Sequence, residues 1–183
     1  MITQMKNTEF TVPQRNEVSE TNQAIFDKLK KMVGFVPNLY AYYAHSDTAL
    51  KDYLDLQNRR NSLRTKEREI INLIVSQVNN CRYCQSAHTQ MGLSAGFTEE
   101  QIIEIRKADI SFDKKFDALV KFAKSTAENK GRATEDAKLN FFEAGYTQEN
   151  LVDTVIVIGD KIISNYLHIL SDIEIDWPLA DEI

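Results

Sequence analysis

Only three prolines and six glycines interrupt the 183 residues, and this scarcity of turn-forming residues constrains the fold more than any other feature. A strand-rich chain of this size needs many tight turns, which depend on Gly and Pro for backbone angles that other residues resist, so long helices are favoured. Almost every break is followed by a helix-start signal. Thr65 stands before KEREIINLIVSQV, and Thr98 stands before EEQIIEIRKA with Gln101 three residues on, in capping-box spacing. Thr134 stands before EDAKLNFFEA, which stops at Gly145, and Thr147 before QENLVDTVIVIGDKIISNYLHIL. Apolar residues recurring at spacings of three and four predict further helices near residues 20–32, 38–45, 47–60 and 113–129. The pattern predicts an all-α domain of about eight helices. Its one strand-like competitor, DTVIVIG, is rich in β-branched residues, but its long flanks keep helical spacing and assign it to a helix.

A hydrophobic content of 43% is enough to build one core without disulfide staples. The chain reads as an arm over residues 1–19, a helical domain over 20–170 and a second arm over 171–183, with no linker, low-complexity tract or short-period repeat. The arms carry Phe10, Val12, Trp177 and Leu179 on otherwise polar strings, which suits them to wrap over the same core or a neighbouring subunit. Net charge is -5 and the basic residues are scattered among acids, whereas phosphate binding needs a concentrated basic surface; nucleic acid is therefore not an expected partner. No run of about 18 apolar residues is present to span a bilayer. The polar first twenty residues do not read as a signal peptide, so the expectation is a cytoplasmic protein with no membrane association. In that compartment two closely spaced cysteines point to catalysis or metal binding before structural cross-linking.

Those cysteines sit in CRYCQSAH, Cys81 to His88, which also holds one of the three histidines. A helix beginning at Cys81, with Asn79 and Asn80 available as caps, advances about 100° per residue and puts Cys81, Cys84 and His88 within about 60° of one another. Ala87 and Met91 flank that side, Arg82, Ser86 and Thr89 lie opposite, and Gln85 falls at the edge. The thiols and the imidazole are thus expected to point into a partly buried, apolar-lined site. A thiol attacks only as thiolate. The helix N-terminus favours charge on Cys81, whereas His88, four residues after Cys84, is spaced to serve that thiol as base or cationic partner. A carboxylate is needed to orient the histidine, and Glu69 is available on the preceding helix in a polar stripe with Asn72 and Ser76, opposite Ile70, Ile71, Ile74 and Val78.

Glu69, Cys81, Cys84 and His88, read together as E-x11-C-x2-C-x3-H, resemble the signature of the alkylhydroperoxidase D-like, carboxymuconolactone decarboxylase superfamily. The resemblance extends over about residues 20–178. VPNLYAYYAHSDTALKDYL is similar to the segment entering the core domain in the peroxidase-related branch, MGLSAGFTEEQI to the usual continuation after the histidine, and ISNYLHIL to a late helix carrying an asparagine, here Asn165. The resemblance implies an all-helical, usually oligomeric protein that reduces hydroperoxides. By the family's assignment Cys84 attacks the peroxide, Cys81 resolves it to a disulfide, Glu69 and His88 relay protons, and an external dithiol restores the pair. No cofactor and no metal ion is called for. The chain departs from the best-known peroxidase branch at Tyr83, where that branch has a second histidine between the cysteines, and the departure bears on proton delivery to Cys81. Decarboxylase members generally lack the cysteine pair, which speaks against lactone decarboxylation.

Rival readings stay in view. Cys81, Cys84 and His88 could bind zinc with Glu69 or another histidine as fourth ligand. The cysteines could fill a core, or serve a non-catalytic thiol sensor or oligomeric scaffold that oxidises without turnover. His45, next to the helix cap Ser46, reads as structural. His168 shares a stripe with Lys161, Ser164 and Asn165 that reads as a solvated or subunit-facing side. Phe35, Tyr40, Tyr42 and Tyr43 read as core or pocket wall, and KKFDALVKFAK as an exposed amphipathic face. From Leu151 to Leu170 apolar residues cover most of the circumference, so burial on nearly all sides is expected, and with it a homo-oligomer in which Trp177 and Pro178 could latch a neighbour.

Overall fold

The computed structural model describes residues 10–183, and among them it contains helices and no strand. A short 3-10 turn, Arg15–Glu17, precedes α1 (Glu20–Val33), α2 (Asn38–Tyr43), α3 (Ala49–Asn58), α4 (Thr65–Val78), α5 (Arg82–Ser94), α6 (Glu99–Lys107), α7 (Lys114–Glu128), α8 (Glu135–Glu143) and α9 (Gln148–Ser171). The all-α expectation holds, with nine α-helices among the described residues where about eight are expected. DTVIVIG lies inside α9.

Local chemistry sets most helix starts. Thr98, Thr134 and Thr147 accept the amides of Gln101, Ala137 and Asn150, and Gln101 reaches back to the Thr98 amide at 3.1 Å. Each bond satisfies an amide that the helix cannot pair itself. Two starts differ from expectation. Thr65 is the first residue of α4, not its cap, because the Glu67 carboxylate turns back to accept the Arg64 amide at 2.8 Å and ends the turn one residue earlier. Asn79 and Asn80 do not cap α5. Asn80 adopts a left-handed backbone (φ 54°), which Asn tolerates better than most residues, and Cys81 becomes the cap itself.

Helix α4 is the axis of the fold, packed against α5, α6, α7 and α9. Every residue from Ile70 to Ser76 is buried, so both the apolar side and the Asn72–Ser76 side face protein. The larger apolar core joins Ile70, Ile71, Leu73, Ile74 and Val75 to Leu119, Val120, Phe122 and Phe141. A second core, under α1, α2, α3 and the chain's last segment, contains Cys81, Tyr83, Cys84 and Ala87. The cysteines therefore lie where α5 leaves the first core and enters the second.

The segment after Ser171 lies on its own chain. Asp176 accepts the Asn38 amide at 2.7 Å and the Tyr83 hydroxyl at 2.7 Å, Trp177 packs edge-on against Phe35, and Ala180 bonds to Ser86 and Arg82 of α5. Of the four apolar residues on the arms, Val12 and Trp177 pack against the second core while Phe10 and Leu179 stay exposed. Residues 1–9 of the first arm lie outside the described residues. His45 bonds through Nε2 to the Thr11 carbonyl, and the Ser46 hydroxyl accepts the Ala49 amide at the start of α3.

Helix α9 departs from the expectation of near-complete burial. Val157 and Ile158 enter the main core, but Val152, Val155, Ile163, Tyr166, Ile169 and Leu170 form an exposed stripe along its length. Because α4 carries the core, Ile71→Ala, which empties a fully buried site, is expected to cost about 2–5 kcal/mol. Denaturant unfolding followed by circular dichroism measures that loss.

Candidate active site

The site forms where α4, α5 and α9 meet beneath α2, α3 and the terminal segment. Cys81 occupies the N-cap of α5, and its Sγ accepts the Cys84 amide at 3.4 Å, so the first turn of the helix holds the two cysteines together. Both are free thiols. Tyr83, Cys84, Ala87, His88 and Met91 line, from α5, a partly open cavity of about 30 Å³. Cys81 lies behind Cys84, fully buried and not part of the cavity wall. The remaining wall comes from Leu39 and Tyr40 of α2, Tyr53 of α3, Lys161 and Ser164 of α9, and Trp177.

Glu69 and His88 meet across the α4–α5 contact. His88 Nδ1 lies 2.7 Å from Glu69 Oε2, and Asn72 donates to the other carboxylate oxygen at 3.2 Å. Burial, reinforced by the charge of Lys161, lowers the His88 pKa against the pull of Glu69. Burial pushes the Glu69 carboxyl upward, but its partnership with the His88 ring, Lys161 and Asn72 outweighs this and the net shift is down. The pair therefore rests as carboxylate and neutral imidazole, with Nδ1–H donating to Glu69 and the Nε2 lone pair free. Glu69 also borders an open groove of about 360 Å³ lined by Thr65, Gln90, Met91, Ser94, Ala95 and Trp177. Glu69 and His88 thus link that groove to the cavity, while Met91 and Trp177 wall both.

The two thiols are driven apart in acidity. Cys84 is lowered to about 7: the Cys81 thiol donates to its sulfur, and Lys161, Asn165 and Ser164 add to this against the cost of burial. Cys81 moves upward, because its proton is held by Cys84 and burial disfavours its charge. The partial charge of the helix N-terminus, which by itself favours Cys81, is outweighed by these neighbours.

The stripe of Lys161, Ser164, Asn165 and His168 is neither solvated nor subunit-facing. All four residues are buried, because α9 crosses between α4 and α5 with this side turned inward. Asn165 donates to Ser76 Oγ at 3.3 Å and accepts from Asn79 at 2.9 Å, while His168 bonds to the Ile173 carbonyl and packs on the Tyr83 ring. The signal was present in the sequence: polar residues at 160, 161, 164, 165 and 168 recur at helical spacing inside an otherwise apolar run. Tyr83 itself is spoken for, since its hydroxyl donates to Asp176 and accepts the Leu39 amide. Among the described residues no three His, Cys, Asp or Glu side chains gather in a metal-binding arrangement. No helix among them is long and apolar enough to cross a membrane.

Residues 44–125 match the model of the carboxymuconolactone decarboxylase family. No curated protein matches the chain in sequence. Among solved structures, an alkylhydroperoxidase AhpD core, a peroxidase-related protein from Ralstonia eutropha JMP134, superposes with a TM-score of 0.83 at 18% identity, covering 92% of each chain. A peroxidase-related protein from Silicibacter sp. TM1040 gives 0.77 at 20% identity over 95% of each. The debrominase Bmp8, in complex with 2,3,4-tribromopyrrole, gives 0.77 at 15% identity over 93% of this chain and 92% of that one. At these identities the likeness establishes a common helical fold.

The lowered Cys84 thiol gives a direct measurement. Thiolate is the deprotonated form, so its ultraviolet absorbance should rise with pH to a first one-thiol step centred at about 7, with no matching step from Cys81. Cys81→Ala should move that step to higher pH, since the Cys81 hydrogen bond is the largest cause of the shift.

Proposed function

We propose that this chain, which belongs to the carboxymuconolactone decarboxylase superfamily, is a thiol-dependent hydroperoxide reductase. The observation that carries the reading is the single cavity bordered by the acidified Cys84 thiol and His88, with free Cys81 directly behind the one and Glu69 hydrogen-bonded to the other.

Each step follows from an available group. Neutral His88 takes the Cys84 proton at Nε2, and the resulting imidazolium is held by the Glu69 carboxylate at Nδ1. The thiolate attacks the terminal oxygen of the hydroperoxide. An S–O bond forms, the O–O bond breaks, and the departing alkoxide leaves with the electron pair and recovers the proton from His88. Cys84 is now a sulfenic acid. Cys81 condenses with it, water leaves, and an intramolecular disulfide results. An external dithiol reduces that bond by exchange, two electrons returning to the pair.

The dimensions of the site favour a small electrophilic group. A cavity of about 30 Å³ is room enough for a peroxide oxygen pair. The adjoining groove of about 360 Å³ is the space in which the body of a larger hydroperoxide would lie.

Cysteine variants test the roles. Cys84→Ser should abolish peroxide consumption, and Cys81→Ser should consume about one equivalent and stall as sulfenic acid, read by mass spectrometry after stoichiometric peroxide. The reverse pattern would exchange the two assignments, and free thiols persisting under excess peroxide would end the redox reading. His88→Ala and Glu69→Gln should each slow the first step by about 10²-fold with the helical signal intact.

The reading includes self-association. The α9 stripe from Val152 to Leu170 presents six large apolar side chains to solvent on one face, the kind of contiguous surface that monomers avoid and that closed symmetric oligomers cover. Light scattering should report a multiple of the 21.0 kDa chain mass, and a single species at that mass would defeat this part of the proposal.

A further inference from the structure

Lys161 stands in the middle of the longest helix, only 2% exposed, and lines the same cavity as Cys84 and His88. Among the described residues no side chain or carbonyl makes a hydrogen bond or ion pair with its ammonium, whereas Glu67 has Arg64, Asp153 has Arg59 and Arg106 has Gln77; its helix neighbour Asp160 is likewise buried, with Oδ1 unpaired. A buried cation is tolerated only where an anion or several acceptors meet it. Neither nearby carboxylate forms an ion pair with it. Glu69 divides its two oxygens between His88 and Asn72. Asp160, one residue along α9, points about 100° away around the helix and acts on the tyrosines of α2 and α3, where it raises the pKa of Tyr40 and Tyr53.

The groups that face the cavity leave one anion for this cation. From α5 come Cys84, neutral His88 and Tyr83, and from α2 and α3 Tyr40 and Tyr53, all three tyrosines kept protonated by burial, while Glu69 of α4 stands behind His88 on the groove side. We propose that Lys161 is the fixed counter-charge of the cavity, paired with the Cys84 thiolate at rest and with the oxygen that takes over the negative charge when the sulfur attacks. The proposal rests on Cys84 being the nucleophile and adds a residue that neither the cysteine motif nor the glutamate–histidine pair supplies. The Lys161 charge adds to the hydrogen bond from Cys81, the largest cause of the lowered Cys84 thiol.

The charge balance has a consequence for the redox couple. Attack moves one negative charge from sulfur to oxygen within reach of the same ammonium, so the cation is not left bare during the step. Disulfide formation is different: the thiolate charge disappears, and Lys161 keeps only Glu69 and Asp160, with neither of which it forms an ion pair. The ammonium therefore favours the reduced, thiolate-bearing state, and removing it should make the disulfide harder to reduce.

The test uses Lys161→Met, which keeps the length and removes the charge, Lys161→Gln as a second neutral variant, and Lys161→Arg, which keeps the charge. Thiolate absorbance against pH needs no peroxide, so it reads the pairing separately from the proposed activity. In the Met variant the Cys84 step should move up by one to two pH units, a loss of roughly five- to fiftyfold in thiolate at neutral pH, and the Arg variant should restore most of it. Equilibration with a dithiol buffer should show the Met variant retaining its disulfide at a higher ratio of reduced to oxidised buffer than the unaltered chain. An unchanged step in Lys161→Met overturns the proposal. So does unfolding of both the Met and Gln variants, which would make the ammonium a structural requirement. If the step moves as expected while the unaltered chain consumes no hydroperoxide, the pairing stands and the peroxidase reading falls.

Discussion

The hydrogen bond from the Cys84 amide to the Cys81 sulfur is the contact on which the rest of the site depends. It makes a cysteine do the work of a helix cap. A cap side chain must lie over the first turn, so the N-cap position brings Cys81 Sγ towards the residue three places on, and that residue is the second cysteine. Proximity of the thiols is thus set by backbone geometry and not by loop flexibility. The left-handed turn at Asn80 aims the new helix, and Asn79, freed from capping, spends its amide on Asn165 and ties the junction to α9. A change at the α4–α5 junction would therefore reach the cap, the thiol pair and the α9 contact together.

How far the sequence was legible follows from how local each signal is. Thr98, Thr134 and Thr147 cap as expected because the acceptor and its amides lie within three residues of one another. Thr65 misleads because Glu67, a residue inside the helix, supplies the acceptor from the other direction. The cysteine cap is missed for a similar reason, since sulfur is a weak acceptor and Asn79 and Asn80 are better cap residues by type. On α5 the angular argument transfers well: Cys84, Ala87, His88 and Met91 share the cavity side, while Arg82 and Ser86 face the terminal segment.

Periodicity is less informative about what covers a polar stripe. On α4 the stripe of Glu69, Asn72 and Ser76 reads as a candidate for the site mainly because the family signature includes the glutamate, and the 2.7 Å contact to His88 lies within it. On α9 the equivalent stripe of Lys161, Ser164, Asn165 and His168 reads as wet, yet it is buried against the same junction. Both helices show polar residues at the same spacing. Which of them meets water depends on the packing of helices far apart in sequence, and no window along one helix contains that information.

The family model spans residues 44–125, from the end of α2 into α7, and so takes in Glu69, both cysteines and His88. Much of the wall around them comes from outside that span: Leu39 and Tyr40 from α2, Lys161 and Ser164 from α9, and Trp177 from the terminal segment, with Tyr53 and Tyr83 added from within it. The signature thus carries the cysteine pair and the Glu69–His88 contact, and the flanking elements contribute the charge and much of the wall of the space in front of them. Chains that share the signature but differ on the late helix would present the same sulfur to a different environment. Since an acidified thiol reacts with many electrophiles, choice among them has to come from that environment. In this chain it is a largely aromatic chamber walled by Tyr40, Tyr53, Tyr83 and Trp177, with one buried cation supplied by α9.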